Sequence, residues 1–69
     1  MTFRTFIKIL ESHGFDLDRQ SGSHCVYKGV VGGETRLVVV AGHREGEEIK
    51  RGTLRAMIRQ SGLPKRLFD

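Results

Sequence analysis

The feature that most limits how this chain can fold is a β-forming centre, residues 24–40, divided by the pair Gly32-Gly33. Two glycines between β-forming runs indicate a hairpin, because a two-residue turn needs backbone angles that glycine adopts without strain. The run before the glycines includes Val26 and Tyr27, and the run from Glu34 to Val40 is the most strongly β-forming part of the sequence. We therefore predict two antiparallel strands joined by a tight turn.

A further strand precedes this pair. Residues 15–19 alternate apolar and polar side chains with the period of a strand, which predicts a short, half-buried strand. Gly22 lies within residues 20–23, where we expect a turn into the strand from His24 to about Val30. The three strands then form an antiparallel meander. Since the run from Val38 to Val40 breaks the alternation, we expect that strand to contact apolar neighbours on both faces over part of its length.

Helical patterns flank the strands on both sides. Thr2 is suited to cap a first helix, which ends at Gly14 and whose apolar stripe has helical spacing: Phe3, Phe6, Ile7 and Leu10. A second helix is predicted from about residues 51–53 to Ser61, with Gly62 as its C-terminal glycine; its apolar side consists of Leu54, Met57, Ile58 and Ser61. The order αβββα indicates an α+β fold with both helices on one face of the sheet.

The size of the chain, 69 residues, predicts a single domain over residues 1–69. Its one cysteine, Cys25, excludes an internal disulfide and favours a reducing cytoplasm. No apolar run reaches the roughly 18 residues of a spanning helix, so we expect neither a membrane segment nor a signal peptide.

The charge of the chain indicates an anionic partner. Twelve Lys and Arg against eight Asp and Glu give a formal net charge of +4. Arg51, Arg55 and Arg59 recur every four residues along the second predicted helix, and like charges at this spacing repel one another. Phosphate would relieve that repulsion, so the three arginines are candidate RNA-binding residues; the alternative is a solvated helix face.

Histidine is the residue type that points to chemistry. His24 follows a glycine turn at the start of a strand, where a rigid element can present an acid or base suited to neutral pH. A zinc site is not expected, because His24 and Cys25 are adjacent in a strand and point to opposite faces. The same alternation argues against a Cys25 nucleophile activated by His24. His13 is assigned a structural role at the end of the first helix, and His43 is a candidate phosphate ligand in the loop after the third strand.

Taken in order, these motifs resemble the HicA toxins, small mRNA interferases of bacterial toxin–antitoxin pairs. The resemblance covers nearly the whole chain and rests on three segments, Leu10-Glu11-x-x-Gly14-Phe15, Arg19-Gln20-x-Gly22-Ser23-His24-x-x-Tyr27 and Glu48-Ile49-x-x-Gly52-Thr53-Leu54-Arg55-x-x-Ile58-Arg59-Gln60-x-Gly62-Leu63. The sequence departs from the family pattern at Arg51, at Cys25 and in the acidic stretch 45–48.

The resemblance implies a fold like the double-stranded-RNA-binding domain and a metal-independent endoribonuclease with no cofactor. It places catalysis on His24 and implies mRNA as substrate and a HicB-type antitoxin as partner. A histidine base lets the RNA 2′-hydroxyl attack its own phosphate. Lys28, on the same face of the strand, is the candidate to stabilise charge on phosphorus, and Ser23, Tyr27 and His43 are the candidates to protonate the leaving oxygen. The alternative function is a non-catalytic RNA-binding module of the same fold.

Overall fold

The computed structural model of the chain describes residues 1–41 and 46–69. In chain order the elements are α1 (Phe3–Ser12), β1 (Asp16–Ser21), β2 (His24–Val31), β3 (Glu34–Ala41), α2 (Arg51–Ser61) and a short 3-10 helix (Lys65–Phe68). The three strands form one antiparallel sheet in the order β1-β2-β3, with β2 in the centre. This is the predicted α+β fold of the double-stranded-RNA-binding-domain type. Within the described ranges, no helix is long and apolar enough to cross a membrane.

Helix α1 begins and ends where the sequence predicts. The Thr2 hydroxyl accepts a hydrogen bond from the Thr5 N–H at 3.2 Å, which satisfies one of the free donors of the first turn. After the last turn, Gly14 adopts a φ of 86°, a left-handed conformation that costs glycine little. The Phe15 N–H then donates to the Leu10 carbonyl at 3.0 Å, and the Phe15 ring turns back into the core.

The sheet buries one face against the helices. Tyr27, Val38 and Val40 point into this layer and are buried together with the apolar stripe of α1. Phe15 lies directly over Gly29 of β2, where no side chain intervenes. The prediction that the first strand is half-buried is wrong: all residues of β1 are exposed, because β1 is an edge strand and the core forms over β2 and β3.

The expectation of apolar neighbours on both faces of β3 holds only in part: away from the helices Val39 pairs with Val26, but no second layer covers that face. Val38 and Val40 are 0% and 7% exposed, whereas Val39 between them is 44% exposed. The strand therefore alternates in burial although its sequence does not alternate in polarity. The cause is the placement of both helices on one side of the sheet, which leaves the apolar side chains of the other side in contact with solvent.

Helix α2 contacts β3 through both its apolar side and its end. Met57 and Ser61 are buried, and the predicted Leu54 and Ile58 are partly buried against the same core. Gly62 ends the helix with a φ of 70°, as its position after the last apolar residue predicts. Beyond it, the 3-10 helix, which the sequence analysis did not predict, places Phe68 against Phe6 with ring centroids 4.9 Å apart.

Both helices begin at the end of the sheet where β2 starts and β3 ends. The Phe3 N–H donates to the Glu47 carbonyl at 3.0 Å and the Ile49 N–H to the Met1 carbonyl at 2.9 Å, so the start of α1 is joined to the segment that leads into α2. The end of α1 lies at the opposite end, where Phe15 covers Gly29. His24 therefore lies at the same end of the molecule as the two helix N-termini.

Candidate active site on the open face of the sheet

The β1–β2 turn determines where His24 lies. Strand β1 continues to Ser21, so the turn consists of Gly22 and Ser23 alone, shorter than the predicted turn over residues 20–23. Gly22 has a φ of 59° and no other residue of the turn has a positive φ, the pattern of a type II′ hairpin with glycine at its first central position. Ser21 and His24 are consequently a cross-strand pair.

His24 is the first residue of the central strand, and its side chain is exposed. Ser21 lies opposite it on β1 and Ala41 lies opposite it on β3. Alternation along β2 directs Cys25 and Tyr27 toward the helices, which places His24 on the other surface of the sheet. We call this surface the open face; its residues are Asp16, Arg19, Ser21, His24, Val26, Lys28, Val30, Thr35, Leu37, Val39 and Ala41.

Lys28 lies on the open face, as the sequence predicts, but at some distance from His24. Four residues of strand separate the two α-carbons by roughly 13 Å. Val26 lies between them, and Asp16 of β1 lies directly opposite Lys28. At that distance the Lys28 ammonium and the His24 imidazole are suited to two different groups of a ligand rather than to the same one.

The proposed auxiliary residues are not all near His24. Ser23 precedes it in the turn and is exposed, so its hydroxyl is available at this end of the sheet. Tyr27 is 8% exposed and belongs to the core on the helix side, so it cannot reach a substrate on the open face. Cys25 packs against the same core, as its place in the alternation predicts. His43 lies outside the described residues.

The three arginines of α2 are exposed, on the helix layer rather than on the open face. Arg51 begins the helix at the end of the molecule that also carries His24, whereas Arg59 lies at the far end, where its carbonyl accepts from Arg36. None of the three forms a salt bridge with a described residue. Arg51 and Arg59 therefore lie at opposite ends of α2, and all three arginines belong to a surface other than the open face.

No metal site accompanies His24 in the part of the chain that the structure describes. Across residues 1–41 and 46–69, no group of three or more His, Cys, Asp or Glu side chains comes together in a way that could hold a metal ion.

The comparison with known families fits this arrangement. A profile described as the HicA toxin of bacterial toxin–antitoxin systems matches residues 3–63 of the 69-residue chain. The chain belongs to the HicA toxin family. The match includes His24, the two helices and all three strands, and it assigns this HicA protein to the toxin side of a toxin–antitoxin pair. No curated protein and no solved structure matches the chain.

Two residues beside His24 escaped the sequence analysis, namely Ser21 and Arg19. Both lie on the open face of β1, Ser21 opposite His24 and Arg19 opposite Val26. A turn of only two residues would have paired Ser21 with His24 on the basis of the sequence alone. Counting back from that turn also pairs Arg19 with Val26, whereas counting forward from Leu17 would place Arg19 on the helix side, because the register of β1 shifts between Leu17 and Arg19.

Proposed function

We propose that this HicA family member is an endoribonuclease that cleaves mRNA without a metal ion, with His24 as the general base. The observation that carries the proposal is the place of His24, exposed at the start of the central strand and fixed by a tight turn within the segment that matches the family. Within the described part of the chain, its imidazole forms no ion pair with a carboxylate. A rigid backbone with an accessible ring suits proton transfer to and from a bound substrate.

The reaction uses a nucleophile that RNA itself supplies. His24 removes the proton of a 2′-hydroxyl, and the 2′-oxygen forms a bond to the adjacent phosphorus. The bond from phosphorus to the 5′-oxygen of the next nucleotide breaks, and that oxygen takes up a proton. The products are a 2′,3′-cyclic phosphate and a 5′-hydroxyl, so no water is consumed in this step.

The other groups of the site bind the RNA or supply the proton for the leaving oxygen. Ser21 and Ser23 bring hydroxyl donors to the two sides of His24, which can hydrogen-bond the phosphate or protonate the leaving oxygen. Lys28 holds a flanking phosphate. Of the three arginines of α2, Arg51 is the one that we expect to contact the same RNA. Arg55 and Arg59 contact more distant phosphates or carboxylates of an antitoxin.

Membership of the HicA toxin family supports a biological role that is part of this proposal. As a toxin, the protein acts in the cytoplasm on mRNA and is held inactive by a cognate HicB-type antitoxin that covers the active site. The open face offers such a partner exposed apolar side chains along β3, including Leu37 and Val39, which are 47% and 44% exposed.

The test is cleavage of a single-stranded transcript by the purified protein in excess EDTA. We expect cleavage to persist and the upstream fragments to end in a 2′,3′-cyclic phosphate, which resists phosphatase until acid opens the ring. Binding without cleavage would instead identify a non-catalytic RNA-binding module. Cleavage that EDTA abolishes would contradict the histidine mechanism.

A further inference from the structure

The bulge in β1 has a consequence for the surface around His24. Leu17 pairs with Tyr27, and a regular register would then pair residue 18 with Val26 and Arg19 with Cys25. Arg19 would in that case point toward the helices. Instead the register shifts by one residue between Leu17 and Arg19, and Arg19 pairs with Val26. The extra residue, Asp18, therefore turns Arg19 onto the open face, and re-aiming a side chain is a frequent role of bulges next to active sites.

Arg19 is within reach of a substrate bound at His24. Since Ser21 pairs with His24 and Arg19 lies two residues before Ser21, Arg19 and His24 are diagonal neighbours on adjacent strands. Such neighbours are roughly 7–8 Å apart, a distance that long side chains span. Along the sheet the two differ by two residues, about 6.6 Å of strand. This offset is close to the separation of successive phosphates in an extended single strand.

No described carboxylate forms an ion pair with Arg19 on the open face. Its cross-strand partner is the apolar Val26, whereas Lys28 faces Asp16. In the described residues Arg19 forms no salt bridge, although Asp16 and Asp18 lie on the same strand. A guanidinium with its donors free can bind a phosphate through two parallel hydrogen bonds.

Two exposed apolar side chains of the open face, Leu37 and Val39, lie on the other side of β2 from Arg19. Val39 pairs with Val26 and Leu37 pairs with Lys28, and both belong to β3. An RNA strand that follows β2 can therefore place its phosphates toward β1 and its bases or riboses over β3. Only a single strand exposes its bases in this way, because a duplex keeps them stacked and paired in its interior.

We propose that the RNA lies along β2 on the open face as a single strand, and that Arg19 binds the phosphate next to the scissile one. The inference rests on the proposed function for the position of the scissile phosphate. The phosphate contact itself rests only on the bulge, the register and the absence of an ion pair between Arg19 and a described carboxylate. Arg19 is thus a substrate-binding residue that sets the position of the RNA relative to His24.

The test compares Arg19→Gln with Arg19→Lys and with Lys8→Gln, which removes a positive charge from an exposed site on α1. With a single-stranded oligonucleotide, we expect Arg19→Gln to lower kcat/KM about tenfold or more, the effect of losing one charge-assisted contact. The slope of log K against log salt should become shallower by about 0.7, the value for one phosphate contact of a single strand. Arg19→Lys should keep the slope, and Lys8→Gln should change neither quantity.

Folding of each variant is checked by circular dichroism, and an RNA duplex serves as a second ligand whose binding should not depend on Arg19. A folded Arg19→Gln protein with the wild-type salt slope for single strands would overturn the inference, and so would an equal loss of duplex binding. If the wild-type protein does not cleave RNA, the proposed function fails. The salt slopes still decide whether Arg19 contacts phosphate.

Discussion

Gly29 is the position at which a single methyl group should do most harm to the packing. A β-carbon built there would lie 2.7 Å from two atoms of the Phe15 ring, and that ring is completely buried. The ring cannot move away without disturbing the end of α1, where the Phe15 N–H donates to Leu10. Glycine at this position is therefore required by contact distance, not by a left-handed backbone conformation.

We predict that Gly29→Ala lowers the free energy of unfolding by about 1–3 kcal/mol, the usual cost of overpacking a core. Chemical denaturation measures this loss. Gly52→Ala is the matched control, since a β-carbon there meets nothing within 4 Å and alanine suits a helix better than glycine. Equal midpoints for Gly29→Ala and the wild type would show that Phe15 does not pack as described.

Single residues governed by local rules were predicted correctly from the sequence. The cap at Thr2 and the left-handed glycines 14 and 62 depend only on their neighbours in the chain, so the pattern is sufficient. The surroundings of His24 were only partly predicted. Ser21 and Arg19 lie beside it through strand register, which depends on a turn of two residues where four were predicted, and the bulge between Leu17 and Arg19 has no signature in the sequence.

At the level of elements, Arg36 joins β3 to the end of α2. Its Nε donates to the Gln60 carbonyl at 3.2 Å and its Nη2 to the Arg59 carbonyl at 3.0 Å. These carbonyls belong to the last turn of the helix, where a positive charge is also favourable for the helix dipole. Gln60 completes the connection by accepting a hydrogen bond from the Val39 N–H at 3.1 Å.

We predict that Arg36→Gln destabilises the protein by about 1 kcal/mol, less than a buried charged hydrogen bond would, because the site is partly open to solvent. The measurement is the midpoint of chemical denaturation, with the slope of the unfolding free energy against denaturant concentration unchanged. Arg55→Gln on the exposed side of α2 removes the same charge and should leave the midpoint within error of wild type. Identical midpoints for all three proteins would mean that the end of α2 is held by its apolar contacts alone.

The arginines of α2 lead to a different prediction. Replacing Arg55 and Arg59 together by Gln should weaken RNA binding and lower its salt dependence by up to about 0.7 per lost contact. Thermal stability should be unchanged or slightly higher, because the arginines repel one another along the helix. A loss of stability without a change in the salt dependence of RNA binding would mean that these arginines stabilise the fold rather than bind RNA. No change in RNA or antitoxin affinity would mean that they form a solvated surface.

The elements themselves were largely predictable, and the errors have one physical origin. Hydrophobic periodicity gave the order and approximate bounds of both helices and all three strands. It did not show which faces the helices would cover, so β1 was expected to be half-buried and the 44% exposure of Val39 was not predicted. The 3-10 helix was missed because its order comes from the contact of Phe68 with Phe6, which lies near the other end of the chain.

The molecule as a whole has two unlike surfaces. One consists of the outer side of the helices with the basic stripe of α2; the other is the open face, which combines His24, Arg19 and Lys28 with exposed valine and leucine side chains. They meet at the end of the sheet where both helices begin and where His24 lies. An RNA strand crossing that end can contact both surfaces, and an antitoxin that binds the open face would block the histidine.

The most direct measurement of the central claim is single-turnover RNA cleavage by His24→Gln, paired with RNA binding by the same protein. The account predicts that cleavage is abolished, because an amide can hydrogen-bond but cannot take up the 2′-hydroxyl proton near neutral pH. Binding and the unfolding midpoint should be retained, since the side chain is exposed and fills no cavity. A folded His24→Gln protein that cuts RNA at the wild-type rate would place the base at another residue and contradict the account.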